Sequence, residues 1–179
     1  DARVVDAHDR AVRDTLAYIE RHADARRKEQ GVSYREHTGK LVVAAYRHEL
    51  SREADPQLHT HALVMNMTQR ADGQWRALAN ERIFLNWRTF DAYYHAKLAE
   101  NLQALGYELR KGRKSAFELA HISDAQNAVF SERSRQIDRN LASLGLTREQ
   151  ATNAQKEYAT LAGRARKGSE LDTAALRAA

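Results

Sequence analysis

Leu41-Val42-Val43-Ala44-Ala45-Tyr46-Arg47-His48, Glu49-Leu50-Ser51-Arg52-Glu53-Ala54-Asp55-Pro56-Gln57 and Leu58-His59-Thr60-His61-Ala62-Leu63-Val64-Met65-Asn66-Met67-Thr68 form one continuous stretch on which the fold turns. The first segment begins β-rich and runs into a polar loop, which favours a strand, with a helix as the alternative. Pro56 biases Asp55 away from the helical region and marks the loop. The last segment alternates, placing His59, His61, Leu63, Met65 and Met67 on one face of a second strand.

If the two strands are antiparallel neighbours, His59 and His61 share a face and His48 comes across from them. Three imidazoles on strands make a facial ligand set with open positions for water or a substrate oxygen. That is the catalytic rather than the structural pattern of metal binding. Three neutral nitrogens suit Zn, Fe, Ni or Mn better than Mg. A phosphate substrate brings hard oxygens of its own, and Mg or Mn then becomes usable. His-x-His alone is weak in a chain with eight histidines, and chance neighbours are the competing explanation. The third histidine, in strand–loop–strand context, favours the metal site. Asp55 and Glu53 either shape the loop or pair with Arg52. His8, His22, His37, His95 and His121 are expected to sit in helices or turns without partners.

Working outward, residues 6–24 carry apolar side chains at helical spacing. Arg26-Arg27-Lys28-Glu29-Gln30-Gly31 reads as a charged exit ending on a turn glycine, and Tyr34 to His37 as an extended piece before a turn at Thr38-Gly39. Asp72-Gly73 signals a hairpin whose return is Gln74 to Leu78. Asn80 caps a short helix, and Thr89 to Leu105 is a longer one that Gly106 ends as a C′ glycine. Tyr107–Arg110 and Ala116–Leu119 flank the basic tip Lys111-Gly112-Arg113-Lys114-Ser115. Beyond His121 the pattern is helical: Ser123 caps Asp124–Phe130, Ser131–Leu144 follows, and Thr147 caps a long polar helix past Tyr158. The fold class is α+β, an antiparallel sheet with helices on one side and a helical tail.

The chain has 179 residues, enough for a domain with its own core. Its 29 Lys plus Arg against 24 Asp plus Glu give a net charge of +5, a modest argument for a nucleic-acid partner. There is no cysteine, which excludes disulfides and thiolate metal sites. No stretch approaches the roughly 20 apolar residues of a membrane span, and a cytoplasmic location is the default expectation. The chain opens on Asp1-Ala2-Arg3-Val4-Val5-Asp6-Ala7-His8 without an initiator Met, and a processed or partial protein is expected. Candidate phosphate-backbone contacts are Arg47, Arg52, Arg76, Arg110, Lys111, Arg113 and Lys114. Trp75, Trp87 and the pair Tyr93-Tyr94 offer rings for base stacking, with core packing as the alternative. Tyr93 and Tyr94 are weak candidates for a nucleophile: they fall on the apolar stripe, although Lys97 stands one turn from Tyr94.

The run from His48 to Thr68 closely resembles the signature of the TraI/TrwC class of conjugative relaxases, the MobF-type members of the HUH endonuclease superfamily. The likeness continues through Glu36-His37-Thr38-Gly39-Lys40-Leu41-Val42, Asp72-Gly73-Gln74-Trp75-Arg76-Ala77-Leu78, Leu105-Gly106-Tyr107-Glu108-Leu109 and Phe130-Ser131-Glu132-Arg133-Ser134. The resemblance implies that His48, His59 and His61 are metal ligands, with Mg or Mn in function and Zn or Ni also accommodated. It implies site- and strand-specific nicking of single-stranded DNA at a plasmid transfer origin through a 5′-phosphotyrosyl link. It implies an antiparallel palm of the HUH relaxase/Rep type over residues 1–130 and a helical finger or flap over 131–179. Origin-of-transfer hairpin DNA, relaxosome accessory proteins, an upstream relaxase segment and a downstream helicase domain are the implied partners, in a bacterial cytoplasm.

One departure matters. The family's catalytic tyrosines lie near the protein's N-terminus, before a strand bearing an aspartate behind the histidines, and neither has a counterpart here. Tyr18 lies in the first helix and does not match. The expectation is therefore a chain that holds the metal and is inactive alone, its nucleophile supplied by upstream residues. Alternatives are a non-catalytic single-stranded DNA-binding module on the same scaffold, a replication initiator of the same superfamily, and a metallohydrolase of small phosphates or amides.

Overall fold

The computed structural model describes residues 1–51, 54–112 and 116–162. The chain is α+β, with antiparallel two-stranded sheets and helices, and its Cα framework divides into two compact units. One comprises residues 1–48 and 58–122, the other 49–57 and 123–179. The second unit takes in the loop between the histidine-bearing strands.

The first unit opens on α1 (Ala2–Glu20), longer at its start than the apolar spacing indicated because Asp1 accepts a capping bond from the Arg3 N–H. Ala7, His8, Ala11 and Thr15 form its buried stripe, and the two alanines let a neighbouring helix approach closely. That neighbour is α3 (Trp87–Ala104), which follows the short α2 (Glu81–Leu85). Tyr18 packs on Tyr93 at 4.6 Å and edge-on to Phe90 at 5.6 Å, while Asn101 donates to the Ala7 carbonyl at 3.0 Å. Gly106 ends α3 as expected: at φ +87° it allows the Tyr107 N–H to return to the Leu102 carbonyl.

The segment expected to be a charged exit is instead a β-hairpin. β1 (Asp24–Glu29) pairs antiparallel with β2 (Val32–His37) through a two-residue turn in which Gln30 and Gly31 both have positive φ, 47° and 84°. This mirror-image turn matches the twist of paired strands. Charged strands are tolerated because most of β1 and β2 is exposed, only Ala25 and Asp24 being buried. On its other side β1 is held by the Arg26 N–H to Ala77 carbonyl bond and by the Ala79 N–H to Asp24 carbonyl bond. Then come β3 (Val43–Leu50), β4 (Pro56–Val64), the small pair β5 (Thr68–Gln69) and β6 (Trp75–Arg76), and the hairpin of β7 (Leu109–Lys111) with β8 (Phe117–Leu119).

The second unit contains α4 (Asp124–Val129), α5 (Glu132–Ser143) and α6 (Asn153–Ala162). Ser123 and Gln126 close a reciprocal capping box on α4. Leu141, Ala151 and Ala159 form a small core with Ile137 and Leu146 against it. Thr147 does cap a turn, through Gln150, but that turn does not propagate. A second cap at Thr152, accepting from the Gln155 N–H, starts α6 instead. No helix among the described residues is long and apolar enough to cross a membrane.

Candidate metal and DNA site

β3 and β4 are hydrogen-bonded neighbours. The Met65 N–H donates to the Val42 carbonyl and the Ser51 N–H to the Asp55 carbonyl, so the strands run antiparallel around their connecting loop. The three histidines meet as their spacing implied. The ring centroids of His48 and His59 are 5.4 Å apart, those of His48 and His61 5.1 Å, and those of His59 and His61 5.0 Å. His48 and His61 are exposed and His59 half-buried, so the imidazole face is open to solvent. By strand alternation Tyr46 and Leu63 share that face, and both are exposed. As placed, no three His, Asp or Glu side chains among the described residues already converge on a common cation position.

The opposite face is gripped by α1. Thr60, between His59 and His61, points away from them, and its hydroxyl lies 2.8 Å from Nε2 of His8. His8 is only 3% exposed, and its Nδ1 lies 2.8 Å from the Tyr94 hydroxyl. The next helix residue, Asp9, accepts from Arg47 at 2.6 Å. Burial pushes the His8 imidazole below the usual histidine range, against the opposing pull of Asp9. Burial likewise raises the Tyr94 phenol.

These contacts correct several expectations. His8 bridges two elements rather than standing alone. His22 packs edge-on to Phe90 at 5.2 Å, His37 contacts Asp24 at 3.2 Å, His95 lies near Asp91 and His121 stacks on Tyr107. Lys97 pairs with Glu100 at 2.8 Å, and the Tyr94 hydroxyl is engaged by His8 behind the histidine-bearing strand. Tyr93 packs on Tyr18. Arg47 is turned toward Asp9 on the face opposite the three imidazoles.

Among the other basic candidates, Arg76 is exposed and bonds to the Trp75 carbonyl and to Gln74. Lys111 is exposed at the end of β7, while Arg110 pairs with Glu118. Arg52, Glu53, Arg113 and Lys114 lie outside the described residues. Trp87 is exposed with the Arg88 guanidinium 5.4 Å from its ring centre, and Trp75 is exposed too. Sequence reasoning missed that His8, Asp9 and Thr60 come together behind the histidine-bearing strands. The available signal was that His8 falls on the Ala7, Ala11, Thr15 stripe of α1.

Comparison with known proteins gives a consistent result. The family model described as TrwC relaxase matches residues 1–179. The multifunctional conjugation protein TraI of Escherichia coli strain K12 is 36% identical over 147 residues, covering 76% of this chain and 8% of that protein. A solved structure of the conjugative relaxase TrwC in complex with oriT DNA, copper-bound, is 50% identical with a TM-score of 0.91, covering 99% of this chain and 60% of that one. The metal-free TrwC–oriT complex superposes with a TM-score of 0.92 at 50% identity, covering 99% of this chain and 63% of the other. The chain therefore spans about three fifths of the solved relaxases and a small part of the curated TraI proteins. Matched by the family model along its whole length, with the three histidines of the signature gathered on one open sheet face, the chain belongs to the TrwC relaxase family.

Proposed function

We propose that this chain supplies the metal-binding histidines and part of the DNA-binding surface of an enzyme that nicks one DNA strand at a plasmid transfer origin in the bacterial cytoplasm. The observation that carries the reading is the triangle of His48, His59 and His61 on the open face of β3 and β4. Ring centroids 5.0–5.4 Å apart gather three imidazoles, a donor set suited to a divalent metal with open positions, on one patch of that face. Mg or Mn in function, with Zn or Ni also suited to the donors, would polarise a scissile phosphate bound from the solvent side.

The chain's own residues hold the histidines on a strand pair, leave their outer side open to a phosphate, and bring exposed Arg76, Lys111, Trp75 and Trp87 as backbone and base contacts for single-stranded and hairpin DNA. The attacking hydroxyl belongs to a tyrosine outside these 179 residues. Its oxygen forms the bond to phosphorus, the bond to the 3′ oxygen breaks, and a proton restores the 3′-hydroxyl. Supporting that assignment, Tyr94 is bonded to His8 behind the sheet and Tyr93 is packed on Tyr18.

The test is calorimetric titration of the 179-residue chain with Mn, Ni and Zn. One-to-one binding that disappears when His59 and His61 are both replaced by Ala is the expected result, and retained affinity refutes the ligand assignment. Incubation with a labelled transfer-origin oligonucleotide and Mg or Mn should give no covalent adduct, and an adduct mapping to Tyr93 or Tyr94 overturns the assignment of the nucleophile.

A further inference from the structure

We propose that the adjacent residues His8 and Asp9 of α1 are positioning residues for the histidine site, a two-point clamp that fixes both of its strands from behind. The inference rests on the metal-site reading above and deepens it. Each strand is held beside its imidazoles. On β4, His8 bonds Thr60, which lies between His59 and His61. On β3, Asp9 bonds Arg47, the immediate neighbour of His48. Two consecutive helix residues therefore set where the two strands sit, and with them the three rings on the other face.

Three features separate this clamp from ordinary packing. His8 is buried, yet both ring nitrogens are engaged, one by Thr60 and one by Tyr94. A neutral imidazole has one donor and one acceptor nitrogen, so two hydroxyls that can each give or take a hydrogen bond satisfy it fully. Tyr94 belongs to α3, so His8 is fixed by a second helix before it fixes the strand. The clamp also matters because it grips both strands of one hydrogen-bonded pair. A ribbon free to twist would vary the spacing between His48 and the β4 histidines. A ribbon pinned on both strands keeps the rings at 5.0–5.4 Å before any cation arrives. That pre-organisation is the contribution of His8 and Asp9, and neither touches the cation.

The experiment compares metal affinity across Thr60→Val, Thr60→Ser, His8→Ala and Asp9→Asn in the 179-residue chain, by competition with a chromophoric chelator for Ni and Zn. Electron paramagnetic resonance of the Cu-loaded chain is the second readout. Thr60→Val keeps the side chain's shape and removes only the hydroxyl. It should weaken metal binding about tenfold or more, the scale seen when groups supporting metal-bound histidines are removed. Thr60→Ser restores the hydroxyl and should restore affinity. Asp9→Asn should weaken binding less, because its partner is partly exposed. The copper spectrum of Thr60→Val should broaden as ring geometry becomes heterogeneous, whereas a loss of stability alone leaves the spectrum of the folded fraction unchanged. If His8→Ala does not fold, the Thr60 pair decides. Wild-type affinity and spectrum in both Thr60→Val and Asp9→Asn overturn the clamp. If the wild-type chain itself binds no metal, the metal-site reading fails instead.

Discussion

The carboxylate of Asp55, in the loop between β3 and β4, accepts the backbone N–H of Glu132 at 2.9 Å and so caps the N-terminus of α5. The residue at that helix's own cap position, Ser131, makes no side-chain capping bond, so a residue distant in sequence does the work. A carboxylate there also complements the helix dipole. Asp55→Ala should cost the second unit about 1 kcal/mol, with faster hydrogen exchange in the first turn of α5. Asp55→Asn keeps an acceptor oxygen and should recover much of the loss. Unchanged exchange at Glu132 in Asp55→Ala would show that the cap contributes nothing.

Acid should loosen the same helix. Bonds from Arg139 and Arg135 hold the Glu132 carboxyl below the ordinary value of 4.5. A folded-state pKa that is depressed adds stability above the unfolded value, and that stability is lost as pH falls through the lowered one. The α5–α6 unit should therefore lose urea resistance as pH falls below about 4.5, modestly, because the ion pairs are partly exposed. Glu132→Gln should flatten that dependence, and a parallel decline in both proteins would assign it to other carboxylates.

How much of this could be read in the sequence follows from what each element depends on. β3 and β4 are legible because a β-rich run, alternation and Pro56 are local signals, and the histidine triangle follows from the two-residue period once the strands pair antiparallel. Gly106 was legible because a positive φ at a helix end selects glycine. β1 and β2 were not, since Asp24-Ala25-Arg26-Arg27-Lys28-Glu29 has no apolar alternation and is a strand only by virtue of its partners. Gln30-Gly31 was the one local hint of a hairpin. The Thr147 cap is legible but the length of its helix is not, because a cap signal does not state how many turns follow. The support from His8 was hidden for another reason: it is a long-range pairing among α1, β4 and α3 that no spacing rule encodes.

Replacing Tyr94 by Phe should test how tightly that pairing is held. The substitution preserves the ring that packs edge-on to His8 at 5.9 Å and removes only the hydroxyl. His8, 3% exposed, then has a ring nitrogen with no partner at Tyr94. A buried polar atom stranded in this way costs about 1–3 kcal/mol, which should lower the thermal midpoint measurably. An unchanged midpoint would mean that water replaces the hydroxyl.

Asp24 and His37 should behave very differently although they touch each other. The Asp24 side chain is 3% exposed and reaches His37 at 3.2 Å and Arg82 at 3.4 Å, whereas the His37 side chain is 62% exposed. Water can take over the contacts of His37 once it is removed. Removing the Asp24 carboxylate breaks both charged contacts at once, whereas removing His37 leaves the Arg82 contact in place. Asp24→Ala should therefore cost about 1–3 kcal/mol, while His37→Ala should stay within about 0.5 kcal/mol of wild type. Urea denaturation of the two variants measures the difference directly. Equal losses would place the stabilisation in the cross-strand pair itself rather than in the buried carboxylate.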